Sequence, residues 1–290
     1  MQVEFSSDGR WLGMTTNVPG TYPLKYRTAV LDGATRELVT TVEGDAFKFA
    51  PNGMLATTVS DHSLAIWKIQ ATGAVEHVTL TAPSKLSQSP YGAESYAFSA
   101  DSSLLAVRCR DQVVVWSLES PASKRIVNSG GTHRLVFARE MLITGVDSAG
   151  VLECWDIRTL GRLKGMRVGQ GAKIAALSLD GRMLAMMRRG EIELWDLVAG
   201  IRVRAFRYTV AALDPLAFSP DGRTLVGGDI DGKVHFWNVA SGNLITTLPT
   251  HVASCRSISF SPDGRCLATA EVVDKIKLWS APGFDETDSP

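Results

Sequence analysis

The sequence predicts an all-β chain folded as a seven-bladed propeller whose last blade is three-stranded. Three observations predict it: a repeat of roughly 40 residues, the same turn chemistry recurring in register, and an apolar spacing of two that leaves little room for helix. Seven short alternating segments end at Phe5, Phe49, Phe98, Phe137, Leu177, Phe218 and Phe260. The turns that follow include Ser6-Ser7-Asp8-Gly9, Ala50-Pro51-Asn52-Gly53, Leu179-Asp180-Gly181, Ser219-Pro220-Asp221-Gly222 and Ser261-Pro262-Asp263-Gly264.

In these turns proline presets φ, Asp or Asn bonds its own backbone, and Gly accepts the positive φ of a reversal, so each reads as a hairpin. A second apolar segment follows, such as Cys266-Leu267-Ala268-Thr269, and then a third that ends in Trp67, Trp116, Trp155, Trp195, Trp237 or Trp279. In the first unit Leu31 takes the tryptophan's place. The anchors are spaced 36, 49, 39, 40, 42 and 42 residues apart. Short strands at that period imply radial blades of about four strands, because no blade can bury both faces without neighbours. A β-sandwich would not repeat turn chemistry and anchor in register.

These units resemble the WD-repeat family, on Trp155-Asp156, Trp195-Asp196 and Phe218-Ser219-Pro220-Asp221-Gly222-Arg223. The resemblance implies strands a to d from the channel outward, with Trp on strand c and a Thr-Gly-like turn before strand d. Ala71-Thr72-Gly73 and Ala240-Ser241-Gly242-Asn243 fill that turn. Blades are placed at 1–44, 45–93, 94–133, 134–173, 174–213, 214–254 and 255–284, with an acidic disordered tail at 285–290. The family's buried network of His, Ser or Thr, Asp and Trp is poorly kept. Asp61 and Asp231 match the Asp position, Arg110, Ala149, Arg189 and Val273 replace it elsewhere, and His133 and His251 precede blades that lack it. No complete set is therefore expected.

The first strand begins at once, with Val3 and Phe5 facing the core, and the segment after Trp279 is acidic with two prolines. Either the ring closes without an added outer strand, or the chain is the C-terminal part of a longer polypeptide, the reading we favour from sequence. Unpaired edge groups on Ile276, Lys277 and Leu278 would otherwise invite a partner strand.

Lys plus Arg and Asp plus Glu number 30 each in 290 residues, so no global field draws nucleic acid or anionic lipid. No apolar run approaches the ~20 residues of a membrane span, and Met1-Gln2-Val3-Glu4 lacks the features of a signal peptide. Cys109, Cys154, Cys255 and Cys266 lie far apart in no metal-ligand spacing, which fits small core residues in a reducing, cytoplasmic setting.

Catalytic motifs are wanting: there is no Gly-x-Ser-x-Gly elbow and no His-Glu-x-x-His pair. Gly227-Gly228-Asp229-Ile230-Asp231-Gly232-Lys233-Val234 nearly spells a phosphate loop, yet puts Val where a hydroxyl must reach magnesium; a hairpin between strands b and c is the ordinary reading. His62, His77, His133, His235 and His251 show no ligand spacing. Small strand-a residues such as Ser95, Ala97, Ala175, Ala217, Ser257 and Ser259 leave little to converge on a substrate, so neither a cofactor, a metal nor a small-molecule substrate is expected.

A non-catalytic scaffold for a protein or peptide partner is therefore the expected function, with no nucleic acid and no membrane. The alternatives are a sensing or docking domain of a larger signalling protein and a propeller-fold enzyme. Antiparallel order puts the b–c and d–a connections on one face, and two long ones fall there, Thr15 to Arg27 and Ala82 to Gly92. They carry Tyr22, Lys25, Tyr26, Arg27 and Tyr91, and the same face should carry Arg108, Arg110, Arg188 and Arg189, with Asp61, Asp147 and Asp231 on other blades. Tyrosine beside cations suits a contact with an acidic peptide. Plain tolerated insertions are the competing reading of those loops.

Overall fold

The computed structural model describes residues 2–17, 26–44, 46–60, 63–82, 96–109, 112–120, 124–128, 134–208, 213–271 and 275–280. They form seven antiparallel sheets and no helix. The innermost strands, a, are Val3–Phe5, Phe47–Phe49, Tyr96–Phe98, Val136–Ala138, Lys173–Leu177, Leu213–Phe218 and Cys255–Phe260.

One rung of residues recurs in every sheet. The segment-ending Phe or Leu of strand a faces a Leu on strand b, and that Leu faces the anchor on strand c. The rungs are Phe5–Leu12–Leu31, Phe49–Leu55–Trp67, Phe98–Leu105–Trp116, Phe137–Leu142–Trp155, Leu177–Leu184–Trp195, Phe218–Leu225–Trp237 and Phe260–Leu267–Trp279. Leu31 is thus the seventh anchor in register as well as in spacing.

The a–b turns explain why the motif repeats. In blades 1, 3, 5, 6 and 7 a serine hydroxyl donates to the Asp two residues on, at 2.5–2.6 Å, and accepts the first amide of strand b at 2.8–2.9 Å. That Asp also accepts the amide two residues further on, at 3.0 Å. Gly9, Gly53, Gly181, Gly222 and Gly264 take φ of 67–83° at the reversal, and Ser102 and Arg139 take the same region without being glycine. The Asp after the anchor does the equivalent for the c–d turn: Asp156 accepts from the Arg158 and Thr159 amides, Asp196 from those of Val198 and Ala199.

Blades pack through seven apolar clusters among the described residues, one at each junction. Closeness is set by glycines as well as by large side chains. A Cβ on Gly13 of blade 1 would come within 2.5 Å of the Phe47 ring of blade 2, and one on Gly228 of blade 6 within 2.6 Å of Cys255 of blade 7. The ring closes by the same means. Val3, Phe5 and Leu12 of blade 1 pack on Cys266, Ala268 and Ala270 of blade 7, while the Val3 and Phe5 amides donate to the Ser257 and Ser259 hydroxyls at 3.2 and 3.0 Å.

The last sheet has three strands, as the sequence predicts. Blade 4 departs from four: its outer segment makes only two isolated bridges, Val151 to Arg167 and Trp155 to Arg162. Gly165 lets this segment approach strand c closely, since any side chain there would collide with the Leu152 carbonyl.

Two buried networks correct the expectation drawn from the tetrad. In blade 6 the buried acid is Asp229, not Asp231, which is exposed. Asp229 lies 2.9 Å from His235 Nε2, whose Nδ1 meets Thr247 Oγ1 at 2.9 Å. In blade 7, Trp279 Nε1 donates to Thr269 Oγ1 at 3.1 Å, which also meets His251 Nε2 at 2.9 Å. Glu271 on strand b stands 3.5 Å from His251 Nδ1 without hydrogen-bonding it, so blade 7 links Trp, Thr and His with a carboxylate close by, and no hydrogen-bonded set of four is completed there.

Candidate interaction face

The b–c and d–a connections share one rim of the ring, and the structure sorts the residues expected there into three groups. Tyr22, Lys25, Tyr91, Arg110 and Asp61 lie outside the described residues. Tyr26 and Arg27 open strand c of blade 1, Tyr26–Asp32, and both are exposed.

The arginines on this rim separate by what holds them. Arg108 corrects the expectation: it is buried, with its guanidinium donating to the Thr144 carbonyl of blade 4, so it braces two blades from within. Desolvation on burial lowers its pKa, an effect opposed by Glu153. Arg188 is pinned to the fully buried Glu193 at 3.0 Å through Nε, and Arg202 reaches the same oxygen at 3.1 Å. Arg189 by contrast is exposed, in the b–c turn with φ of 51°.

Sequence reading missed Arg167, exposed on the d–a connection into blade 5, and Lys173, exposed at the start of strand a there, both on the rim that carries Arg189. That connection is strapped to the b–c turn of blade 4: Arg167 Nη1 donates to the Ala149 carbonyl at 3.3 Å and Gln170 Nε2 to the Ser148 carbonyl at 3.1 Å. Asp147 fixes the turn by accepting the Ala149 and Val151 amides at 3.0 and 2.9 Å. A local charge count would have found them.

The channel along the axis encloses about 460 Å³ and is less bland than small strand-a residues suggested. Glu4 pairs with Lys48 across blades 1 and 2, and burial pushes the Glu4 carboxyl up despite that cation. Arg134 donates to the Ala175 carbonyl and stands 3.7 Å from Asp214. Each of these carboxylates has a cation beside it, an arrangement that braces neighbouring blades. The Gly227-to-Val234 stretch is the hairpin between Thr224–Asp229 and Lys233–Asn238, with Asp229 accepting the Asp231 and Lys233 amides.

The family model for the WD domain, G-beta repeat, matches residues 207–238 and 242–280, which span most of blades 6 and 7. The same rung continues through the other five sheets. Residues 207–280 thus carry WD40 repeats, within a seven-bladed propeller. WD40 propellers commonly act in protein interactions and are generally not enzymes. No curated protein matches this one. Among the described residues no helix is long and apolar enough to cross a membrane.

Proposed function

We propose that this WD-repeat propeller is a non-catalytic scaffold that presents its b–c and d–a face to a protein or peptide partner, in the cytoplasm. The observation that carries the reading is the contrast on that rim: Arg108 and Arg188 are held within the frame, while Tyr26, Arg27, Arg167, Lys173 and Arg189 are exposed, with the connection that bears Arg167 tied to blade 4 by hydrogen bonds. Fixed positions lower the ordering cost of binding. Four free, buried cysteines support a reducing compartment.

A docking domain of a larger protein is the second reading, favoured by Leu278. It is 40% exposed, whereas its counterparts in blades 1 to 5, Val30, Ile66, Val115, Cys154 and Leu194, are at most 4% exposed and that of blade 6, Phe236, is half-buried.

Cross-linking mass spectrometry on complexes recovered from cells tests the face. Links should concentrate at the b–c and d–a connections. Links confined to the a–b turns of the opposite rim would contradict the proposal.

A further inference from the structure

Charge is uneven along this neutral chain. Residues 158–207 carry eleven Lys and Arg against four Asp and Glu, while the whole chain carries 30 of each, so the rest of the sequence holds the acidic excess. Two of the four acids are spent internally: Glu193 is fully buried between Arg188 and Arg202, and Asp196 caps its turn and pairs with Arg182 at 2.9 Å. Glu191 pairs with Arg207 at 3.4 Å. Among the described residues, Arg167, Lys173 and Arg189 have no carboxylate within ion-pair distance.

These three share the face named above and the junction of blades 4 and 5. Their placement is built rather than incidental. Besides the strap from Arg167 and Gln170 to blade 4, the Arg188 guanidinium lies 3.3 Å from where a side chain on Gly169 would begin, so blade 5 seats against the same connection.

We infer that Arg167, Lys173 and Arg189 form a cationic docking rim for an acidic, extended stretch of a partner protein. The inference rests on the interaction reading above and specifies its chemistry. A short acidic segment can engage three cations at one junction. Blade 3 carries four acids and four bases and blade 6 four acids and two bases, so a duplex running on over them would meet no further cationic excess, whereas a binder that makes about 6–10 phosphate contacts needs many more cations. Association should be fast and should weaken with salt as screening shortens to about 10 Å near 0.1 M.

The test is fluorescence anisotropy of the full chain with a labelled poly-glutamate peptide, a poly-glutamine peptide of equal length and duplex DNA, at rising salt. We expect the acidic peptide alone to bind, with about a tenfold loss, or 1.4 kcal/mol, in Arg167→Glu/Lys173→Glu/Arg189→Glu. Arg223→Glu, in an a–b turn on the opposite rim, should bind as the wild type does. Equal binding of the two peptides, tighter binding of DNA, or a triple variant that still folds by circular dichroism and binds unchanged would overturn the inference. Should cross-links still map to this face while the triple variant binds its partner normally, the acidic chemistry fails and the interaction reading stands. Links on the opposite rim alone would remove both.

Discussion

The serine–aspartate pair in the a–b turns shows how one residue type is made to do two things. Its hydroxyl orders the Asp and simultaneously receives the first amide of strand b, so Ser219→Ala should cost about 1–2 kcal/mol, read as a shift in the urea midpoint. The carboxyls of Asp101, Asp180, Asp221 and Asp263 are held below the usual carboxylate range, chiefly by that hydroxyl and next by a backbone amide. Such groups contribute stability that is present above the ordinary value near ~3.9 and lost as pH falls through the folded one. Solvent screening keeps each contribution small. Together they predict a shallower acid-unfolding profile for Asp221→Asn/Asp263→Asn than for the wild type. Burial, by contrast, pushes the Cys154 thiol up to about 11 and the Cys255 thiol up to about 12, so both should resist a thiol reagent at neutral pH until the ring unfolds. Residue-scale chemistry was partly legible beforehand: the Pro-Asp-Gly turns announced themselves. Asp229 and Glu271 did not, because the search fixed the acid at one spacing from Trp, while a carboxylate needs only to reach the imidazole in space.

At the scale of the strand, register was the most readable feature, since Phe, Leu and Trp recur at constant offsets and a slip of one residue would turn each apolar set to the wrong side. The close approach at Gly165 in blade 4 was not readable, because it depends on a carbonyl of another strand. Arg108 was misread for a related reason. A charged residue at a strand end suggests solvent, yet its stem lies between two blades and its head finds the Thr144 carbonyl. Arg108→Ala should therefore destabilise the ring by roughly 2–3 kcal/mol, measured by chemical unfolding, without altering binding of the acidic peptide. Gly13→Ala should also destabilise, by about 1–3 kcal/mol, because the Phe47 ring must move to admit a methyl group.

The whole molecule depends on seven junctions of one kind, each an apolar seam that neither neighbour can bury alone. Six of them join blades consecutive in sequence; the seventh joins residues some 254 positions apart and must pay the largest loop-closure cost. That seam decides whether the cationic rim sits on a rigid ring or on an open arc. Amide hydrogen exchange at Val3 and Phe5 tests it most directly, since these N–H groups donate across the closing junction to Ser257 and Ser259. The closed seven-bladed ring predicts slow exchange at both amides and a marked acceleration in Ser257→Ala/Ser259→Ala. Exchange at unprotected rates in the wild-type chain would contradict it.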